Sequence, residues 1–130
     1  MRLILCNDYE EMSAKGAELI AEQVMKKPDC TLGLATGSTP VGVYEKLVEQ
    51  YNEGKIDFER VKTFNLDEYY PIEPTHEQSY RYFMNVNLFD HIDIDPDCTH
   101  VPNGLAADAE AECEAYDELV EALGYADLQL

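Results

Sequence analysis

The sequence predicts an α/β fold with a mainly parallel sheet and helices on both faces. Short apolar runs alternate along the chain with longer segments in which apolar residues recur at helical spacing. Turn signals such as Pro28 and Gly54 separate these segments. Strands that alternate with helices of three or four turns favour parallel pairing through right-handed crossovers.

The first third of the chain predicts a strand, a helix and a second strand. Residues 1–6 are apolar enough for a short strand. Asp8 with Glu11 three residues later has the form of a helix cap, for a helix that ends near Pro28. Residues 30–35 form a second apolar run that is too short for a helix. The apolar stripe of the helix consists of Met12, Leu19, Ile20 and Val24.

The middle of the chain predicts a small-residue loop, a helix and a third strand. Residues 36–39 precede a helix that has Pro40 at its first position and Gly54 at its end. A third apolar run at 61–66 leads directly into the acidic pair 67–68. The stripe of the helix is Val41, Tyr44, Leu47, Val48 and Tyr51.

The second half predicts two more helices and two more strands. Thr75 with Gln78 indicates a capped helix. Val101 is the centre of a weak strand, a last helix covers 108–124, and residues 126–130 begin a further strand. The first of these helices should turn four residues inward: Tyr80, Phe83, Met84 and Leu88.

These elements describe a single Rossmann-like domain over residues 1–130. With 45% hydrophobic and 28% charged residues, the composition is that of a folded globular protein rather than of a disordered one. The sequence stops inside a predicted strand, without the loop that would follow its carboxyl end. We therefore expect a chain that is truncated at its C-terminus.

The charge excludes several classes of partner. The net charge of −18, from 27 acidic and 9 basic residues, argues against nucleic acid and against anionic membranes. A signal peptide and a membrane-spanning run are both absent from the sequence, so we expect a cytoplasmic protein. The scattered cysteines favour reduced thiols and are Cys6, Cys30, Cys98 and Cys113.

A loop of small residues between the second strand and its helix predicts an anion site. Thr36, Gly37, Ser38 and Thr39 offer backbone N–H groups and hydroxyls at the start of a helix, where the dipole favours negative charge. The loop lacks the lysine of a Walker loop and the glycine spacing of a dinucleotide fingerprint. The alternative is a tight turn in which Thr39 caps the helix.

The acidic pair after the third strand predicts a general base. Neighbours on a strand point in opposite directions, so at most one of Asp67 and Glu68 should face the ligand crevice. A carboxylate beside a phosphate loop could take a proton from a carbon next to a carbonyl. The alternative is a solvated acidic turn, with Tyr69 and Tyr70 as packing or rim residues.

The sequence does not predict a metal site. Residues 93–97, which predict an exposed loop, carry aspartates at alternate positions, but a calcium loop there would need glycine and glutamate where Cys98 and Gly104 stand. The histidines lie in separate segments without metal-ligand spacing, at His76, His91 and His100.

Several motifs together resemble the glucosamine-6-phosphate deaminase family. They are Leu-Ala-Thr-Gly-Ser-Thr-Pro at 34–40 and Thr-Phe-Asn-Leu-Asp-Glu-Tyr at 63–69. Residues 79–84, 88–94 and 102–104 also resemble the family, in the same order and at similar spacing. The resemblance covers essentially the whole chain, and the combination of motifs is more specific than any one of them.

The resemblance implies a function and a set of site residues. The family converts glucosamine 6-phosphate and water to fructose 6-phosphate and ammonia, without metal or organic cofactor. By motif, Asp67 would move the proton between the first two sugar carbons, and Thr36, Gly37, Ser38 and Thr39 would bind the substrate phosphate. The partner would be a small sugar phosphate. The sequence leaves the oligomeric state open, a homo-oligomer included.

The family's ring-opening histidine, its later basic residues and its lid lie beyond the position of Leu130. We therefore expect this polypeptide alone to lack turnover. One alternative is a 6-phosphogluconolactonase, a family that typically has Asp-Glu-Arg where this chain has Asp67-Glu68-Tyr69. Another is a non-catalytic sugar-phosphate sensor, which would predict an attached DNA-binding region.

Overall fold

The structure of the protein is a computed structural model that describes residues 2–130. Four strands alternate with four α-helices, and two short 3-10 turns lie at Phe89–His91 and Pro96–Cys98. The strands are β1 (Thr31–Leu34), β2 (Lys62–Asn65), β3 (Thr99–His100) and β4 (Leu128–Gln129). The helices are α1 (Tyr9–Lys26), α2 (Val41–Asn52), α3 (Tyr80–Asn87) and α4 (Ala109–Ala122).

The four strands form one sheet in the order β3-β2-β1-β4. β1 pairs in parallel with β2 on one side and with β4 on the other, and β2 pairs in parallel with β3. The predicted parallel α/β fold is therefore confirmed. Because all strands run in the same direction, their carboxyl ends meet at one edge of the sheet.

The two faces of the sheet carry different helices. Leu32 and Leu34 belong to the main apolar core, which they share with residues of α1 and α2. Thr31 points to the opposite face, since neighbours on a strand alternate, and its hydroxyl donates to the Leu123 carbonyl at the end of α4 (3.4 Å). The largest fully buried core side chains are Tyr44, Phe58, Leu47, Met84 and Leu88.

Three helices begin at residues whose side chains accept a backbone N–H. The Asp8 carboxylate accepts the Glu11 N–H, so the predicted helix cap of α1 is confirmed, and the Glu11 carboxylate accepts the N–H of Asn7, the residue before the cap. Asp108 caps α4 in the same way. The predicted start of α3 at Thr75 is wrong, because the helix begins at Tyr80 with Ser79 as its cap.

The predicted N-terminal strand is also wrong over residues 2–6, while position 1 lies outside the described residues. This segment has no regular structure, and Leu3 and Leu5 are 76% and 84% exposed. A strand needs a hydrogen-bonded neighbour for its backbone groups, and no strand of the described chain lies beside this segment. An apolar run alone does not supply that neighbour.

The remaining boundaries differ from the predictions by a few residues. Val101 follows β3 instead of lying at its centre. Part of the predicted loop at 93–97 enters the 3-10 turn Pro96–Cys98, where the Asp95 carboxylate accepts the Asp97 N–H. The predicted end of α4 at Gly124 is confirmed by its φ of +79°. Within residues 2–130 the helices are too short or too polar to cross a membrane.

The start of β4 is tied to the start of β1. The Asp127 N–H donates to the Thr31 carbonyl (2.8 Å), and the Asp127 carboxylate accepts the Thr31 N–H (2.9 Å). Lys27 forms an ion pair with the same carboxylate at 2.8 Å. These contacts join the end of α1, the central strand and the last strand.

Candidate active site

The two polar segments predicted from the sequence follow neighbouring strands at the same edge of the sheet. Thr36, Gly37, Ser38 and Thr39 come directly after β1, and Asp67 comes after β2. β1 and β2 pair from Thr31 with Lys62 to Leu34 with Asn65, so both loops leave the sheet side by side. Ligands of open parallel sheets bind at this edge.

The loop at 36–39 leads into a helix whose N-cap residue has no capping side chain. Gly37 has a φ of +101°, a left-handed conformation that favours glycine. Pro40 is the N-cap of α2, whereas the sequence predicts it as the first helical residue, and its own side chain accepts no N–H. The alternative in which Thr39 caps the helix is therefore not observed. In α1, α3 and α4, by contrast, the side chain of the N-cap residue accepts a backbone N–H.

The buried Tyr44 holds the beginning of the loop. Its hydroxyl donates to the Ala35 carbonyl and accepts the Ala35 N–H at 3.1 Å. Burial raises the pKa of Tyr44, although the hydrogen bond with Ala35 works in the other direction. Since this hydroxyl pairs with both backbone groups of Ala35, the end of β1 has a fixed position.

Glu68 is part of the start of α3. Its carboxylate accepts the N–H groups of Tyr80 (2.8 Å) and Arg81 (3.0 Å) and the Ser79 hydroxyl (2.7 Å). It also accepts the N–H of Tyr69 (2.9 Å). Partial burial acts to raise the pKa of Glu68, but these hydrogen bonds outweigh burial and lower its pKa overall. Glu68 is therefore held as an anion against the first turn of α3.

Asp67 is exposed and lies near the tip of Tyr80. The pKa of the Tyr80 hydroxyl is raised, first by its interaction with the Tyr69 side chain, then by burial and by the negative charge of Asp67. The Thr36 side chain lowers the same pKa. The Tyr69 and Tyr80 rings are 4.9 Å apart between centroids. Asp67 and Thr36 therefore both affect the pKa of one hydroxyl, although they are 31 positions apart in the sequence.

Asn65 connects the two strands beneath these loops. Its side-chain Nδ2 donates to the Leu34 carbonyl at 3.0 Å, and its backbone carbonyl accepts the Tyr116 hydroxyl of α4 at 2.7 Å. The Oδ1 of Asn65 is buried and has no hydrogen-bond partner within the described chain. This network sets the spacing between the ends of β1 and β2.

A hollow of about 280 Å³ lies between the loop and α1. Thr36, Thr39 and Pro40 form its loop side, and Leu130 of the last strand reaches its rim. The other lining residues are Met12, Gly16, Ala35 and Val43. Across residues 2–130, no three His, Cys, Asp or Glu side chains are grouped so that they could hold a metal ion.

Sequence reasoning missed the position of Tyr80. The helical stripe predicts that Tyr80 faces the core, but the residue is only half-buried and its ring lies against Tyr69, which follows the acidic pair. Its location at the first residue of α3 explains the difference, because the helix begins next to the site. The signal in the sequence is Ser79, a cap residue directly before Tyr80.

Comparison with known proteins shows which family the chain is related to. Residues 7–129 match the family model described as glucosamine-6-phosphate isomerases/6-phosphogluconolactonase. The chain is 55% identical over 130 residues to a glucosamine-6-phosphate deaminase of Clostridium perfringens and 54% identical to one of Halothermothrix orenii. It covers 54% of the length of each, so it spans about half of these relatives.

Solved structures agree with this relationship. A monomeric glucosamine-6-phosphate deaminase superposes with a TM-score of 0.97 at 42% identity, over 99% of this chain and 54% of that protein. A 6-phosphogluconolactonase of Thermotoga maritima superposes with a TM-score of 0.73 at 25% identity, over 92% of this chain and 53% of that protein. The chain belongs to the glucosamine-6-phosphate isomerase and 6-phosphogluconolactonase family, and its higher identities are to the deaminases of that family.

Proposed function

We propose that the full-length protein containing this chain converts glucosamine 6-phosphate and water to fructose 6-phosphate and ammonia. Relatives named as deaminases are 52–56% identical to the chain over its whole length. The observation that carries the proposal is that the loop at 36–39 and Asp67 follow neighbouring parallel strands, at the ligand-binding edge of the sheet. The reaction requires one site that binds the substrate phosphate and, close to it, a base that acts on the sugar carbons.

In the proposed mechanism the loop Thr36, Gly37, Ser38 and Thr39 binds the substrate phosphate. The positive end of the α2 dipole favours an anion in spite of the net negative charge of the chain. With the phosphate fixed, the first two carbons of the opened sugar come near Asp67. This positioning lowers the entropic part of the barrier.

Asp67 then acts as the base that takes the proton from the second carbon and returns it to the first. The exposed carboxylate is free for this role, since the hydrogen bonds at the start of α3 go to Glu68. The proton shift leaves an iminium at the second carbon. Water adds to that carbon to give a carbinolamine, which loses ammonia and leaves the ketose. No metal or organic cofactor takes part in these steps. The reaction would belong to amino-sugar catabolism in the cytoplasm.

The test is a coupled assay of ammonia release from glucosamine 6-phosphate. The full-length protein and the chain ending at Leu130 are compared in parallel, and 6-phosphogluconolactone hydrolysis is followed with the same samples. We expect ammonia only from the full-length protein, because the resemblance places the ring-opening residues beyond Leu130. Lactone hydrolysis without ammonia release would overturn the proposal, and turnover by the shorter chain would contradict this division of roles.

A further inference from the structure

The hydroxyl of Tyr9, at the first residue of α1, contacts the candidate phosphate loop from the side of α1. It lies 2.9 Å from the Ser38 carbonyl and 3.1 Å from the Thr39 carbonyl, to which it can donate. It also accepts the Gly42 N–H of α2 at 2.9 Å. One side chain therefore pairs with the end of the loop and with the first turn of the following helix.

These contacts fix the direction of the loop's peptide groups. In a planar trans peptide the C=O and the following N–H point in opposite directions. Because Tyr9 draws the Ser38 carbonyl towards α1, the N–H of Thr39 points away from α1. The peptide group between Thr39 and Pro40 has no N–H, because Pro40 lacks one. The peptide group between Ser38 and Thr39 therefore supplies the donor that Tyr9 orients.

The ring of Tyr9 is itself held in place. The hydrogen bonds of Asp8 and Glu11 fix the start of α1. An ion pair between Glu10 and Lys46 (2.7 Å) joins this end of α1 to α2. Gly42 allows the close approach, since a Cβ at this position would lie 2.9 Å from Cε1 of Tyr9. Thus α1, the loop and α2 form one connected unit around the hydroxyl.

We propose that Tyr9 is a positioning residue for phosphate binding: it orients the peptide groups of the loop at 36–39 without touching the substrate. This inference rests on the proposed function, because it assigns the loop to the substrate phosphate. The hydroxyl donates to carbonyls that would otherwise be free to turn towards the phosphate and repel it. Removal of the hydroxyl leaves the loop with more than one peptide orientation and weakens phosphate binding.

The test is Tyr9→Phe in the full-length protein, which keeps the ring and removes the hydroxyl. We expect KM for glucosamine 6-phosphate to rise about fivefold while kcat changes less than about twofold, because the phosphate contact is made equally in the ground state and the transition state. The dissociation constant of inorganic phosphate, measured by calorimetry, should rise by a similar factor. A residue that only stabilised the fold would lower the melting temperature without this change.

Tyr51→Phe is the matched control, because this hydroxyl lies at the far end of α2 and makes no hydrogen bond within the described chain. We expect unchanged KM and phosphate affinity for it. Unchanged KM and phosphate affinity in Tyr9→Phe would overturn the inference, as would a fall in kcat at constant KM. If the unmodified protein releases no ammonia, the proposed function fails; weaker phosphate binding by Tyr9→Phe would still support the role of Tyr9.

Discussion

At the scale of single residues, the adjacent carboxylates Asp67 and Glu68 have different environments. Glu68 accepts hydrogen bonds from three groups at the start of α3 and from Tyr69, whereas Asp67 is exposed beside Tyr80. The alternation of side chains along a strand predicts that at most one of the two faces the crevice. The role of Glu68 at the start of α3 was not predictable in this way, because its partners lie 11 to 13 positions further along the chain.

The different environments predict different effects of two isosteric substitutions. Asp67→Asn in the full-length protein should lower kcat for ammonia release by a factor of about 10² to 10⁴, the usual contribution of a general base. Substrate affinity, measured by calorimetry, should stay within about threefold of the original, because the phosphate loop is unchanged. Asp57→Asn, at an exposed position before β2, is a control of equal charge change. Equal activity of the Asp67 variant would remove Asp67 from the role of base.

Glu68→Gln should lower stability in a way that depends on pH. A lowered pKa in the folded state means that Glu68 contributes stability above its unfolded value of 4.5, and that this contribution is lost as pH falls through the folded pKa. We expect the variant to be less stable by about 1–2 kcal/mol at about pH 7. The difference should be smaller at about pH 3.5 than at about pH 7.

Urea denaturation of both proteins at the two pH values measures this difference. A constant difference in the free energy of unfolding across this range would show that the carboxylate charge has no part in the stability of the α3 start.

At the scale of helices and strands, α1 and α2 pack closely because Gly42 faces Ser13. A Cβ at Gly42 would lie 2.9 Å from the Cβ of Ser13, and the Ser13 hydroxyl is buried without a hydrogen-bond partner in the described chain. The contact therefore leaves no room for a Cβ at position 42, and it buries an unpaired hydroxyl at position 13. Both features predict how substitutions behave.

Ser13→Ala should be neutral or stabilising by up to about 1 kcal/mol, because it removes an unpaired buried hydroxyl and alanine favours a helix. Gly42→Ala should destabilise by about 1–3 kcal/mol through overpacking. In the Ser13→Ala background the cost of Gly42→Ala should fall by about 1 kcal/mol, since the two sites are in contact. Thermal denaturation of the four proteins gives the coupling, and strict additivity would contradict this contact.

Elements whose signals are local could be predicted from the sequence, and those that depend on distant partners could not. Asp8 and Glu11 are close in sequence, so the start of α1 was predictable. The start of α3 depends on Glu68 in another loop, and the cap pattern at Thr75 misled the prediction. For residues 2–6, apolar composition satisfied the pattern of a strand, but a strand also requires a neighbour.

At the scale of the whole molecule, the charge of −18 acts against the compact state. Only 9 basic residues oppose 27 acidic ones, and the last helix has acidic residues in its first turn without a basic residue in its last. Like charges repel when a chain becomes compact, and salt screens this repulsion. The melting temperature of the 130-residue chain should therefore rise between about 20 mM and about 300 mM sodium chloride.

Differential scanning calorimetry measures this change, with sodium chloride and potassium chloride compared to separate screening from specific ion binding. A melting temperature that falls or stays constant would show that the ion pairs of the chain outweigh the repulsion.

The topology could be predicted from the order of the elements, because alternating strands and helices leave few arrangements besides a parallel sheet. The common location of the two site loops followed from the same rule. The contacts of Tyr9 with the loop could not be predicted, since they join residues 29 to 33 positions apart through side-chain packing. Sequence patterns therefore gave the location of the site, and tertiary packing sets its detailed geometry.

The central position of β1 has a consequence for folding during synthesis. One neighbour of this strand is made about thirty residues later, but in the other pairing, with β4, the partners Leu32 and Leu128 are 96 positions apart. A nascent chain on the ribosome therefore has this side of β1 without β4 until residues 128–129 have been translated. Contacts so distant in sequence slow folding, so the strand that leads into the candidate phosphate loop should acquire its hydrogen-exchange protection late.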